Sequence, residues 1–388
     1  MQRRIDQVRN ATKVNSCSAL KLAAMSTGIA PLPIIDVTPF ANNASSNEDN
    51  AREKASTVEQ LAAACVTHGA FYVKSGGIGN LTREFRKEVF NAAQDFFNLP
   101  QDIKNKIPIR SGGFTRGYIG LGAESGSSAL EVKEAFSYGY PWSLDVAPTN
   151  NLQGPNEWPD TSDLDSTWRK TLETFYAGMV QVAEAVTRAL SVALGMDEGY
   201  LPSFCAEGET ISLMRLFHYF PDKTTDHITG QRSPSDRIGS SPHTDWGFLT
   251  LIMQQDGVTG LQIADGEGGW TDVPPIPGTF LVNAGDYLSL LTNGRVVSPL
   301  HRVVSSDQER LSMVFFYYPR YDAQIPLLTE DGPAARISLF IDQSQNTPRA
   351  NDNEKEKEQL AIRAEEISKM AFGDYIFSKW GQVYRGNY

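Results

Sequence analysis

Ser241-Pro242-His243-Thr244-Asp245-Trp246-Gly247-Phe248-Leu249-Thr250-Leu251-Ile252-Met253-Gln254 joins two metal-ligand residue types to an apolar, β-rich run. His243 and Asp245 stand at i and i+2, so an extended backbone projects both side chains from one face. The same texture continues on either side. Short runs rich in β-branched and aromatic residues cover 211–219, 237–245, 248–254, 260–264, 279–283, 286–291, 296–304 and 310–318. Gly, Pro, Asn and Asp punctuate them. About eight short strands with turn signals between them predict a double-sheet jelly roll, not a parallel α/β sheet. The expected class is mainly β with helices (α+β): a double-stranded β-helix core with an N-terminal helical region packed outside.

His301 lies in a later strand candidate, and Arg310-Leu311-Ser312 opens the next one. Two imidazoles and one carboxylate cover one face of an octahedral ion and leave the opposite positions open. That set suits Fe(II), and Mn(II) less well, whereas zinc favours a closed tetrahedral shell or a single open position. Arg310 can pair with the carboxylate of an organic acid beside the metal. Arg310 and Ser312 form another i, i+2 pair, so five side chains on neighbouring strands can converge on one pocket.

The upstream half has a helical period. Pro31-Leu32-Pro33-Ile34-Ile35-Asp36 predicts a short strand and Phe71-Tyr72-Val73 another. Ser56-x-x-Glu59 reads as a capping box opening a helix with Val58, Leu61, Ala62 and Cys65 on one face, stopped by Gly69. Thr82 caps a second helix with Phe85, Val89, Ala93, Phe96 and Phe97 inward. Residues 110–125 are Gly-rich and read as lying between elements; 140–162 read as a long ordered loop. A helix is predicted over about 163–194, with Trp168, Leu172, Phe175, Met179, Val182, Val186 and Leu190 as its stripe. The polar segment 220–236 has the length of a lid. Residues 351–358 are a charged run, followed by a terminal helix with Leu360, Ala364, Ile367 and Ala371 on one side. The chain divides into a basic extension (1–28), a helical region (29–205), the jelly-roll core (206–345) and a C-terminal loop and helix (346–388).

The 388 residues are 40% hydrophobic and 10% aromatic, enough for a large core. The net charge of −11 gives no electrostatic reason to seek nucleic acid or anionic lipid. No run approaches the ~20 apolar residues of a membrane helix. Three scattered cysteines show no metal or disulfide spacing and fit a reducing, cytoplasmic setting. Residues 1–24 are basic and acid-poor. They read as an extension ahead of a working start at Met25, with a transit peptide as the alternative. Oligomeric state is not legible.

The stretch from 211 to 320 resembles the isopenicillin-N-synthase-like branch of the Fe(II)/2-oxoglutarate-dependent dioxygenases. The matching text is His243-Thr244-Asp245-Trp246-Gly247, Gly260-Leu261-Gln262, Leu281-Val282-Asn283-Ala284-Gly285-Asp286, Asn293-Gly294-Arg295, Ser298-Pro299-Leu300-His301-Arg302-Val303 and Arg310-Leu311-Ser312. Upstream, Leu32-Pro33-Ile34-Ile35-Asp36, His68-Gly69-Ala70-Phe71-Tyr72 and Arg116-Gly117-Tyr118 are similar to that branch's helical region. The resemblance implies His243, Asp245 and His301 as iron ligands. It implies Arg310, Ser312 and Tyr219 as the grip on the distal carboxylate of 2-oxoglutarate. Phe217 departs from the Asn that many relatives carry there. The implied reaction consumes O2 and 2-oxoglutarate, releases succinate and CO2, and hydroxylates, desaturates or cyclises at a C–H bond of a small organic molecule. An iron oxidase or cyclase of the same fold that uses no 2-oxoglutarate, and a catalytically silent small-molecule-binding relative, stay open as alternatives.

Trp246, Phe114, Tyr118 and Phe136 are candidate substrate contacts, with Arg116 and Tyr138 nearby. His68, His218, Arg215 and Arg302 read as structural. Gly117-x-x-Gly120-x-Gly122 lacks the order and context of a nucleotide loop.

Overall fold

The structure, a computed structural model, describes residues 31–41, 47–109, 116–123, 130–143, 145, 147–150, 152–160, 162–205, 210–221, 237–266, 268–328 and 354–383. Strand β1 (Ile34–Asp36) runs parallel to β2 (Ala70–Lys74), and helix α1 (Glu48–Thr67) connects them. Two helices follow, α2 (Arg83–Phe97) and α3 (Gln101–Lys104), then strands β3 (Gly117–Ile119), β4 (Leu130–Glu131) and β5 (Lys133–Gly139). The long helix α4 (Trp168–Ala193) and the short α5 (Pro202–Cys205) precede the barrel. Its strands are β6 (Leu213–Tyr219), β7 (Arg237–Ile238), β8 (Ser240–His243), β9 (Leu249–Gln254), β10 (Leu261–Ala264), β11 (Trp270–Asp272) and β12 (Thr279–Ala284). Helix α6 (Asp286–Leu291), β13 (His301–Val303), β14 (Arg310–Tyr317), α7 (Glu354–Ser368) and α8 (Phe372–Val383) complete the order.

The strands form an eight-stranded sheet, β1-β2-β12-β9-β14-β6-β5-β3, and a four-stranded sheet, β11-β10-β13-β8; β4 and β7 pair separately. This is the expected jelly roll. Strand pleating divides the core in two. On the large sheet, Ala135, Phe217, Tyr219, Ile252, Leu281 and Val314 pack with Leu261, Ile263 and Val303 of the small sheet, filling the space between the sheets. The alternate residues, such as Phe136, Met214, Leu216, Met313 and Phe315, belong to a second apolar cluster with the helices. All seven stripe residues of α4 are buried in that cluster. Fully burying one such large apolar side chain is worth roughly 1.5–3 kcal/mol, so this stripe is what seats α4 against the sheet.

Several elements differ from expectation. Helix α1 begins at Glu48, not at the Ser56 box, because Asn47 Oδ1 accepts from the backbone N–H of Asn50 (2.9 Å) and caps it earlier. The run 286–291 is helix, not strand: a short apolar run carries no period long enough to choose between them. Gly117–Ile119 pairs as an edge strand with β5 inside the Gly-rich stretch, and β5 and β11 were not expected. The C-terminal helix is two, α7 and α8, and α7 starts within the charged run. The basic extension and segment 222–236, most of the anticipated lid, lie outside the described residues. The end of α1 follows its signal: Gly69 takes φ +63°, and a Cβ there would meet the carbonyl oxygen of Val297. Val297 N–H in turn bonds Cys65 O (2.9 Å), fastening the approach to His301 onto this helix end.

Candidate active site and metal centre

Strands β8 and β13 are antiparallel neighbours, and His243 and His301 sit directly opposite one another in their register. The two imidazole centroids are 4.3 Å apart. β8 ends at His243, so Asp245 reaches the site from the loop beyond it and not from the strand itself. Its Oδ1 lies 4.0 Å from His243 Nε2 and 3.9 Å from His301 Nε2. Two ligand bonds of about 2.1 Å span at most just over 4 Å, so both gaps are within reach of one shared ion. One ligand atom from each of these residues lies within 4.8 Å of the others; no other such His/Cys/Asp/Glu cluster occurs among the described residues.

The protonation pattern is set locally. His243 Nδ1 donates to Ser241 O (2.7 Å) and His301 Nδ1 to Pro299 O (3.0 Å). A carbonyl only accepts, so each ring carries its proton on Nδ1 and keeps the Nε2 lone pair for a metal. Desolvation by the surrounding protein, then the neighbouring His301 ring, push the imidazole of His243, itself at the exposed end of β8, down to about 4, with Asp245 opposing. Asp245 Oδ2 is buried with no hydrogen-bond partner. A bare carboxylate oxygen in such a place is costly unless a cation answers it, so the residues present fit a divalent ion.

Beside them is a cavity of about 220 Å³ lined by both sheets. Arg310 pairs with Tyr219 and Ser312 with Phe217 across β14 and β6. The Arg310 guanidinium lies 5.0 Å from the centre of the Tyr219 ring. Its Nη2 donates to Gln254 Oε1 (3.0 Å), while Nε and Nη1 are buried without partners. Burial lowers its pKa and Tyr219 counters that; a guanidinium nonetheless stays charged. Two unmet donors on a buried cation are a receptor for a carboxylate. From Arg310 to Phe316 the inward face of β14 runs about 20 Å. The end away from Arg310 is aromatic, with Trp246, Phe316, Tyr318 and Trp380 in the wall.

The structure therefore gathers His243, Asp245, His301, Arg310, Ser312, Tyr219 and Trp246 around one cavity. Tyr118 and Phe136 are elsewhere, and their candidate role is corrected. Both occupy the parity of β3 and β5 that faces the helices. Phe136 packs on Phe96 (4.4 Å), and the Tyr118 hydroxyl donates to Glu134 Oε2 (2.5 Å). Phe114 lies outside the described residues. Arg116 donates to Leu152 O (2.9 Å), and Tyr138 is in the helix-side cluster. Sequence reasoning missed Glu131, Lys133, Phe316 and Trp380, and assigned Arg215 to structure alone; all five line the cavity. Lys133 Nζ reaches Glu131 Oε2 (2.7 Å) and Ser240 Oγ (2.7 Å), and Glu131 Oε1 accepts from Ser241 N (2.8 Å). That pair fastens β8 to the end of β4 and the start of β5. The charged i, i+2 spacing of Glu131 and Lys133 was the available signal.

Fold and site together define a non-haem iron oxygenase of the jelly-roll class. Residues 210–319 match the 2OG-Fe(II) oxygenase superfamily, and residues 32–161 match the N-terminal region described as "non-haem dioxygenase in morphine synthesis". The chain is 32% identical to the 2-oxoglutarate-dependent dioxygenase citB of Monascus ruber, over 78% of this chain and 88% of that one. It is 31% identical to the homoarginine-6-hydroxylase 2-ODD-C23 of Glycine max, over 78% and 89%. A full-length Neurospora crassa protein, solved in complex with alpha-KG and thymine, superposes with a TM-score of 0.65 at 25% identity, covering 82% of this chain and 99% of that one. The chain belongs to the 2OG-Fe(II) oxygenase superfamily and is a 2-oxoglutarate-dependent non-haem iron dioxygenase. Among the described residues, no helix is long and apolar enough to cross a membrane.

Proposed function

We propose that His243, Asp245 and His301 hold Fe(II), that Arg310, Ser312 and Tyr219 hold the distal carboxylate of 2-oxoglutarate, and that the aromatic end of the cavity takes a small organic substrate with a planar, largely apolar body. When bound, iron and 2-oxoglutarate supply the oxidising power of the reaction. The chain's own part is placement. Arg310 neutralises and aligns the co-substrate's far end. Trp246, Phe316, Tyr318 and Trp380 offer flat faces to a ring, a contact worth about 0.5–1.5 kcal/mol per aromatic pair beyond area burial. They also exclude water from the reacting carbon. Arg215 lies within the same wall, two residues from Phe217, and can orient an oxygen-bearing group of the substrate.

The observation that carries this reading is the Arg310 guanidinium, buried with two unmet donors in the cavity beside His243, Asp245 and His301. The test is succinate release from Fe(II), O2, 2-oxoglutarate and a metabolite panel. Planar ring compounds should give product and succinate one for one, and Trp380→Ala should raise their KM while leaving that of 2-oxoglutarate in place. Product without succinate would overturn the co-substrate assignment. Preference for flexible aliphatic compounds would overturn the substrate class.

A further inference from the structure

The two arms that carry the proposed ligands are separate in sequence, and one side chain outside the cavity joins them. Thr244, between His243 and Asp245, donates its hydroxyl to Asp286 Oδ2 (3.1 Å). Ser298, on the approach to His301, donates its hydroxyl to Asp286 Oδ1 (2.8 Å). The next residue, Pro299, supplies the carbonyl that accepts from His301 Nδ1 (3.0 Å). The backbone adds to the hold on the first arm: Asp286 N–H bonds Asp245 O (2.7 Å), Tyr287 N–H bonds Gly247 O (3.1 Å) and Gly285 N–H bonds Phe248 O (3.0 Å). The approach is close enough that a Cβ on Gly285 would collide with the carbonyl oxygen of Gly247.

We infer that Asp286 is a positioning residue for the metal centre, a carboxylate clamp that fixes the Thr244–Asp245 arm against the Ser298–His301 arm. It rests on the metal reading of His243, Asp245 and His301, and it is not a ligand: both of its oxygens are engaged by hydroxyls of the two arms. The physical need is geometric. A metal site works only when its ligands hold their places to within about 0.5 Å, and neither arm is regular strand at the point of attachment. Residues 244–246 have left β8, and 298–300 precede β13. One oxygen per arm on a single rigid carboxylate sets the spacing between the arms. The Ser298 contact also places the Pro299 carbonyl, and with it the tautomer and tilt of the His301 ring.

The experiment is anaerobic Fe(II) titration of the full-length apoprotein against a chromophoric chelator, with 2-oxoglutarate absent. Wild type, Asp286→Asn, Thr244→Val, Thr244→Ser and Ser298→Ala are compared, and apoprotein thermal midpoints confirm folding. Asp286→Asn should weaken Fe(II) binding about 10- to 100-fold, the usual cost of losing an outer-shell partner. Thr244→Val and Ser298→Ala should each weaken it by less, and Thr244→Ser, which keeps the hydroxyl, should restore it. Asp286→Asn combined with Thr244→Val should lose less than the product of the two singles, because the pair shares one contact. Wild-type affinity in folded Asp286→Asn overturns the clamp. Should that variant not fold, wild-type affinity in both Thr244→Val and Ser298→Ala overturns it equally. Failure of the wild type itself to bind Fe(II) would instead remove the metal reading, which separates the two outcomes.

Discussion

Arg310 is the residue on which the proposed co-substrate role turns. Its cation is buried, one nitrogen satisfies Gln254, and two donors face no partner. Hydrogen bonds between charged groups are worth about 1.5–3 kcal/mol each. Arg310→Ala, which removes two such bonds, should therefore raise the KM for 2-oxoglutarate by about 100- to 10,000-fold, at 1.4 kcal/mol per tenfold, with Fe(II) affinity unchanged; an unaltered KM in steady-state succinate assays would refute the assignment. The constellation of His243, Asp245, His301, Arg310 and Ser312 was legible because ligand type and close spacing are local features, although only Arg310 and Ser312 form an i, i+2 pair on a strand and Asp245 lies in the loop past β8. Tyr118 and Phe136 were misplaced because strand alternation needs a starting phase. The phase of β5 is set by its pairing with β6, where Ala135 stands opposite Phe217 and Phe136 opposite Leu216. Sequence spacing does not contain that partner.

At the scale of elements, one buried carboxylate ties the back of the large sheet together. Glu134 on β5 receives Lys104 Nζ of α3 (2.8 Å), the Tyr118 hydroxyl of β3 (2.5 Å) and His218 Nδ1 of β6 (2.7 Å). His218 Nε2 also lies 2.7 Å from Glu309 Oε1, immediately ahead of Arg310. Burial pushes the Glu134 carboxyl up, but the bonds from His218, Lys104 and Tyr118 outweigh it and hold the group below its ordinary value. A depressed folded-state carboxyl stabilises the protein above its unfolded value, about 4.3, and that stabilisation is lost as pH falls through the folded value. Chemical unfolding followed from pH 7 down to 3 should show stability declining from about pH 4.5. Glu134→Gln should flatten that decline and cost about 3–5 kcal/mol at neutral pH, because Lys104 loses its buried partner. An unchanged acid slope in the variant would show that other carboxylates govern it.

For the whole molecule, the site couples binding to folding. The proposed ligand arms, the Glu131–Lys133 pair and the Arg310 strand come from different strands and both main sheets, so a metal and a dicarboxylate held among them would bind only the folded chain. Ligand at a hundred times its Kd adds about 2.7 kcal/mol of stability. Thermal unfolding under nitrogen should thus rise stepwise, first with Fe(II) and then with 2-oxoglutarate, and fall back on chelation. Arg310→Ala should keep the first step and lose the second; two intact steps would place the co-substrate elsewhere. The C-terminal helix α8 belongs at this scale too. It closes the aromatic end with Trp380 while Phe372 and Tyr375 pack on Tyr287.

By itself the sequence determined the jelly-roll class and singled out the trio and the arginine proposed here as metal ligands and carboxylate grip, because turn chemistry, residue spacing and ligand type are short-range properties written in consecutive residues. Only the tertiary structure decided which phase of β5 faces the cavity, that 286–291 coils into a helix, that Asp286 bridges two distant arms and that Trp380 walls the aromatic end of the cavity. Each of these depends on contacts between segments far apart in the chain, where register and packing, not local propensity, choose the outcome.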